Sequence, residues 1–181
     1  NLQYMILKKK YLDNILLFNS KKNNDTRGFF MRAYCINTFK KYGIKTKINQ
    51  INISHNSKKH TLRGYHFQKK PYSEAKTISC IKGEIFFSVL DINPSSKFYL
   101  KTCNMVLNEE DNKICHVPKG YATAFLTMKN STEVLYLMSD SYKPEYGTGI
   151  RFNDPIITEK WPVKPKIVSV KDMNFENFKN K

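Results

Sequence analysis

Residues 62–68 read LRGYHFQ. They place His66 three residues after Arg63, with Gly64 between them and an aromatic ring on either side of the histidine. An imidazole takes up and releases a proton near neutral pH. A planar guanidinium pairs with phosphate oxygens through parallel hydrogen bonds. A base beside an anion clamp suits proton transfer on a phosphorylated substrate. Two facts weigh against that reading. A single histidine on an apolar strand is more often a hydrogen-bonded core residue than a base. Strand alternation also sends residues 63 and 66 to opposite faces. They can serve one site only at a bulge, a strand end or a barrel rim, and Gly64 supplies the freedom for it. Tyr65 and Phe67 fall on the other parity from His66 and read as packing.

The elements that must position these groups are mostly strands. Residues 5–18 alternate as one or two strands, and 25–34 form a turn and a strand. A short helix is expected over 37–43, ending at Gly43. From 44 onward strand follows strand: 44–54, 61–68, 75–81, 84–91, 97–107, 113–118, 122–128 and 132–139. Turn signals separate them, among them Lys82–Gly83, Asn93–Pro94 and Lys119–Gly120. Many short strands with little helix predict a sandwich or barrel. Prolines and glycines break up the chain after Pro144, and SVKDMNFENF, 169–178, predicts a short closing helix with Asp172 as its N-cap. The expected organisation is one domain over 1–181: N-terminal strands in 1–24, a core over 25–165 and a helical tail from 166.

The chain has 181 residues and 40% hydrophobic content, enough for a core without staples. No apolar run is long enough to cross a bilayer, and no signal peptide is apparent, so a cytoplasmic protein is expected. Cys35, Cys80, Cys103 and Cys115 form no C-x-x-C pair and read as isolated reduced thiols. The net charge of +16 invites a nucleic-acid partner. Only four of the 31 basic residues are arginines, however, and the lysines are scattered in an asparagine-rich chain. That is the mark of an AT-rich genome and a solvated basic surface, without a recognition motif. A positive field can still attract a phosphorylated small molecule.

LRGYHFQ is followed in order by AKTISCIKGEIFFSVLD, HVPKGYATAF, EVLYLMSDSYKPE, GIRFNDP and WPV, and preceded by DTRGFF. Each piece is weak alone. In this order and spacing, from about residue 25 to 172, the chain resembles the dTDP-4-dehydrorhamnose 3,5-epimerase family. The resemblance implies an all-β, cupin-type jelly roll (a double-stranded β-sandwich) with a short C-terminal helix. It also implies a homodimer and epimerisation of a nucleotide-linked 4-keto-6-deoxy sugar in surface-polysaccharide synthesis. Many cupins hold a metal through a His-x-His pair, a later Glu and a final His. Here Phe67 and Gln68 follow His66, and Thr123 stands after the Pro118–Gly120 turn, so the ligand set is missing and no metal is expected.

Inverting a carbon beside a ketone needs a base on one face, a donor at the developing enolate oxygen and an acid on the other face. No redox cofactor is required. The resemblance makes His66 the base and Asp172 the acceptor that fixes its tautomer. It makes Lys76 the group at the enolate oxygen. Lys76 shares strand parity with Ile78 and Cys80 and can face inward, a costly position for a lysine unless an anion is present. Tyr136 is the proton donor by the same resemblance, a phenol being an acid of pKa about 10. Tyr142 matches a second tyrosine near the sugar, Arg63 the diphosphate clamp and Lys171 a further phosphate contact. Arg27, Gln50 and Asn52 match positions around the nucleotide.

Two positions depart from the family. Thr123 stands where a histidine is usual, and Ala124 follows it in place of glycine. A hydroxyl can hydrogen-bond but carries no charge, which points to altered handling of the sugar, with one stereocentre inverted rather than two. Arg32 stands where glutamate is usual, which opens the choice of base to cytosine on CDP as well as thymine. The alternatives are a 3,4-ketoisomerase on the same substrate class and a non-catalytic sugar-nucleotide binder.

Overall fold

The computed structural model describes residues 4–178; residues 1–3 and 179–181 of the expected terminal segments lie outside them. Two six-stranded sheets face each other. The first sheet contains β1 (Met5–Tyr11), β2 (Ile15–Ser20), β5 (Gln50–Asn56), β7 (Lys76–Lys82), β10 (Lys113–Val117) and β12 (Thr132–Met138), in the order β1-β2-β10-β7-β12-β5. The second contains β6 (Thr61–Gln68), β8 (Glu84–Asp91), β9 (Thr102–Asn108), β11 (Tyr121–Thr127) and β13 (Gly147–Gly149), in the order β13-β6-β11-β8-β9. A short β14 (Ile167–Val168) pairs parallel with β6, and β3 (Lys22–Asp25) and β4 (Gly28–Met31) make a separate two-stranded hairpin. This is the expected cupin-type jelly roll.

Alternation places the core. Ile78 and Cys80 of β7, Val134 of β12, Ile85, Phe87 and Val89 of β8, and Phe125 of β11 meet between the sheets. Every residue of β11 is buried, because both faces of that strand are covered. Outside the first sheet, α1 (Ile36–Lys41) drops Phe39 onto Phe18 and Ile114. Outside the second, the segment after β13 brings Trp161 and Ile157 onto Tyr65, Leu90 and Ala122. Tyr65 and Phe67 therefore pack on the outer face, as their parity predicts. The Tyr65 hydroxyl meets Ser88 Oγ at 2.7 Å, and burial pushes its phenol up to about 12.

Three elements differ from the sequence expectation. Residues 44–49 are irregular and β5 begins at Gln50; Ile44 turns back to hydrogen-bond Phe39 and joins the cluster around α1. The strand expected from residue 97 begins at Thr102, because the buried Asp91 carboxylate gathers the preceding loop through Asn93 N at 2.9 Å and Ser96 Oγ at 2.6 Å. The closing helix, α2 (Val170–Met173), is capped by Ser169 and not by Asp172. Ser169 Oγ accepts the Asp172 N–H at 3.0 Å, which leaves the Asp172 carboxylate free to point elsewhere.

β6 carries the irregularity that Arg63 and His66 require. Against β11, Thr123 pairs with His66 and Phe125 with Arg63, so three steps on β6 match two on β11. The extra residue sits at Gly64–Tyr65, where the peptide is cis and Gly64 has φ +113°. A Cβ on Gly64 would stand 2.5 Å from the Thr123 carbonyl oxygen and 2.7 Å from Ala124 Cα. Gly64→Ala is therefore expected to cost roughly 2–5 kcal/mol, from backbone strain and overpacking together. Urea unfolding checks this; a change within about 0.5 kcal/mol, the range of an ordinary surface substitution, would contradict it.

Candidate active site

The interior between the sheets is apolar at one end and polar at the other. The change comes at Lys76, one step beyond Ile78, and at Tyr136, one step beyond Val134. A cavity of about 470 Å³ opens there, lined by His66 and Arg63 from β6, Lys76 from β7 and Tyr136 from β12. Asp172 and Lys171 from α2 and Tyr142 from the loop after β12 complete its wall. His66 and Tyr136 belong to opposite sheets and face the cavity from its two sides.

β14 explains how Asp172 reaches the histidine. Its pairing with Thr61 and Leu62 lays the chain along β6, and the Ser169 cap then starts the single turn that carries Asp172. Asp172 Oδ1 lies 2.7 Å from His66 Nε2, and Oδ2 accepts the Gly64 N–H at 3.2 Å. Burial alone would raise this carboxyl. The hydrogen bond and charge of His66, with help from Gly64 N and Ser169, outweigh burial and hold it below the ordinary carboxylate range. An ionised carboxylate only accepts, so the shared proton sits on His66 Nε2, and it is Nδ1 that holds the lone pair whenever the ring is neutral. The His66 side chain is 43% exposed, which leaves that nitrogen open to the cavity.

Lys76 is surrounded. Its Nζ donates to the His66 carbonyl at 2.9 Å and to Thr123 Oγ1 at 3.1 Å, and it pairs with Glu74 Oε1 at 3.1 Å. Burial draws the ammonium below the usual lysine range, and Glu74 holds it part of the way back. The Tyr136 hydroxyl, by contrast, has no hydrogen-bond partner among the described residues. Arg63 is steadied by Asn56, whose Oδ1 accepts from its Nε at 2.8 Å.

The remaining expected residues lie around this group. Gln50 and Asn52 share one face of β5 with Ser54 and Asn56; Gln50 Nε2 donates to Asn52 Oδ1 at 2.9 Å, and Gln50 Oε1 accepts the Tyr142 N–H at 3.0 Å. They border the cavity without lining it. Thr123 stands behind Lys76. Arg27 is elsewhere, at the β3–β4 turn, in an exposed ion pair with Asp25 at 2.5 Å. Arg32 lies over the Tyr4 ring, 4.4 Å from its centroid, and does not line the cavity. Two contributors escape the sequence reading. Asn56 is signalled by the polar alternation Gln50, Asn52, Ser54, Asn56. Glu74 precedes its strand and has no periodic signal. Among the described residues no group of three or more His, Cys, Asp or Glu is arranged to hold a metal ion.

The sequence matches the dTDP-4-dehydrorhamnose 3,5-epimerase family over residues 9–180. It is 31% identical over 171 residues to the dTDP-4-dehydrorhamnose 3,5-epimerase of Shigella flexneri, covering 94% of each chain. It is 33% identical over 172 residues to that of Methanothermobacter thermautotrophicus, covering 93% of this chain and 91% of the other. The fold is similar to the crystal structure of dTDP-4-dehydrorhamnose 3,5-epimerase from Bacillus anthracis with TDP and PPi bound, with TM-score 0.93, 28% identity, and coverage of 96% of this chain and 99% of that one. It is also similar to dTDP-6-deoxy-D-glucose-3,5-epimerase from Legionella pneumophila in complex with dTDP-4-keto-L-rhamnose, with TM-score 0.90, 27% identity, and coverage of 96% and 92%. With sequence and fold matched over nearly the whole length, this chain belongs to the dTDP-4-dehydrorhamnose 3,5-epimerase family.

Proposed function

We propose that this protein epimerises a nucleoside-diphosphate 4-keto-6-deoxy sugar, with His66 as base and Tyr136 as acid. The observation that carries the reading is the placement of these two groups on opposite walls of one cavity. His66 Nδ1 removes the proton from the carbon beside the ketone. The C–H electron pair moves into the ring bond and the carbonyl π pair onto oxygen, giving an enolate. The Tyr136 O–H then protonates the same carbon from the other face, so the centre is inverted; solvent returns both groups to their starting protonation. Asp172 holds His66 in the required tautomer and faces the imidazolium that forms. The Lys76 ammonium supports the enolate oxygen. Arg63 and Lys171 take the diphosphate, and Tyr142 borders the sugar.

Thr123 bears on which carbon reacts. It offers one hydroxyl, already engaged with Lys76, where the family pattern has a titratable ring. We read the protein as inverting one stereocentre faster than the other. The nucleotide lies towards Gln50 and Asn52.

Arg27 can contribute to such a site only from a second copy, because it stands outside the cavity of its own chain. A homodimer accounts for that and for other exposed groups. Ile51 and Ile53 on the edge strand β5 are 62% and 63% exposed, and Phe29 and Phe30 on the hairpin are 60% and 64% exposed. Light scattering should report a dimer, and Ile53→Lys should shift it to monomer; a monomeric wild type would remove this part of the reading.

Incubation with dTDP-4-keto-6-deoxyglucose in heavy water, followed by NMR, tests the chemistry. Deuterium should enter at C3 or C5, faster at one, and His66→Asn should slow it by about 10²–10⁴-fold. Absence of deuterium at both carbons, or normal exchange in His66→Asn, would overturn the assignment; equal rates at both would remove the Thr123 argument. Parallel titrations with dTDP and CDP address the base: tighter binding of dTDP would show that Arg32 leaves thymine recognition intact. Asp172 gives a pH-dependent prediction. Its folded carboxyl is held low, so its contribution is present above the unfolded value of about 3.9 and is lost as pH falls through the folded one. Asp172→Asn should be less stable than wild type by roughly 1–2 kcal/mol at pH 7, discounted for the exposed edge of His66. Urea unfolding at pH 7 and pH 3 should show that gap closing in acid.

A further inference from the structure

We propose that Glu74 is a positioning residue that keeps Lys76 an ammonium and fixes which of its N–H bonds can turn to the substrate. This rests on the epimerase reading for its catalytic consequence alone. An ammonium has three N–H bonds, and Lys76 has three acceptors: the His66 carbonyl, Thr123 Oγ1 and Glu74 Oε1. None is left over for a ketone oxygen, so substrate must displace one. The His66 carbonyl is backbone, fixed by the β6 bulge. The Glu74 carboxylate is anchored at its far end, where Oε2 accepts the Gln68 N–H at 3.0 Å, and its side chain is only 3% exposed. Thr123 offers a neutral hydroxyl that turns about a single bond. The N–H that Thr123 now accepts is therefore the one released to a ketone oxygen in the cavity, which Lys76 lines and Thr123 does not.

Charge follows the same geometry. Glu74 is the only ion-pair partner of Lys76 among the described residues. The other elements around Lys76 supply no second anion in contact with it. β10 places Val117 opposite it, β11 supplies Thr123, and β12 supplies Met138 and Tyr136. β6 contributes His66 and Arg63. Asp172 is engaged by His66 and Gly64, and Lys171 and Tyr142 stand at the cavity wall. A buried lysine without a carboxylate beside it loses its proton readily. Glu74 offsets that tendency, and the Glu74–Lys76 pair is neutral overall. Lys76 thus meets the cavity as a charged donor while the pair that holds it carries no net charge.

The test is a pH titration of the full chain labelled with ¹⁵Nζ,¹³Cε-lysine, with the Lys76 signal identified by its loss in Lys76→Arg. In Glu74→Gln the Lys76 midpoint should shift to lower pH, while Glu74→Asp should retain a midpoint closer to wild type. The loss of substrate deuterium exchange on the alkaline side should move down in pH with the Glu74→Gln midpoint. A wild-type midpoint in folded Glu74→Gln would overturn the proposal. Wild type alone also decides the matter if that variant fails to fold: Lys76 should give an ammonium signal at pH 7 with a hydrogen-bond coupling to the Glu74 carboxyl carbon, and a neutral amine there would overturn it. If the midpoint moves but no form of the protein exchanges substrate protons, the role of Glu74 in holding the charge stands and the epimerase reading falls. If exchange occurs and the midpoint stays, the reverse holds.

Discussion

The extra residue in β6 is the constraint on which the rest of the site depends. A regular strand would turn Arg63 and His66 to opposite sides of the sheet. The bulge at Gly64–Tyr65 brings both to one cavity and leaves Tyr65 and Phe67 on the outside. It also frees the Gly64 N–H from the ladder on that side and offers it to Asp172 Oδ2. One local departure from pairing thus aligns Arg63, His66 and Asp172, the groups proposed as anion clamp, base and the acceptor behind the base. The price is close approach: Gly64 lies against Thr123 and Ala124 with no room for a side chain. A glycine at this point is dictated both by its backbone angle and by its neighbours.

Burial then decides how the charges are arranged. His66, Lys76 and Arg63 each have a partner supplied by a different element. Asp172 comes from α2 to His66, Glu74 from the segment before β7 to Lys76, and Asn56 from β5 to Arg63. Buried charges without partners would neutralise or destabilise the fold. Tyr136 is the exception, with a hydroxyl open to the cavity and no partner among the described residues. A proton donor must be unengaged on the side where it acts, whereas a base benefits from a fixed acceptor behind it. The contrast between Tyr136 and Tyr65 makes the point: the latter is buried, bonded to Ser88 and pushed up to about 12.

The strands were largely legible because alternation reports burial directly, and β6, β8, β10 and β12 fall close to where the pattern puts them. The pattern failed where a side chain imposed an order that periodicity does not encode. Asp91 gathers a loop that otherwise reads as strand, and Ile44 serves the α1 cluster instead of a sheet. At the site, His66, Lys76, Tyr136 and Asp172 came from motif order, and the bulge was legible as a condition that Arg63 and His66 impose together. Asp172 read as a helix cap because its type suits one; Ser169, three residues earlier, does that work and releases the carboxylate. Glu74 gave no signal, because its partner is fixed by the turn into β7 and not by any repeat.

Thr123 shows how a departure from a family pattern can be accommodated without loss of the site. It lies on the most buried strand, directly opposite His66 in register and in reach of Lys76. A β-branched residue suits that strand, and its hydroxyl satisfies one N–H of a buried ammonium that would otherwise go unmet. What a threonine cannot do is carry a proton or a positive charge across the cavity. Its presence therefore leaves the charge balance around Lys76 to Glu74, His66 and Asp172, and its own contribution there is a single hydrogen bond to the Lys76 ammonium.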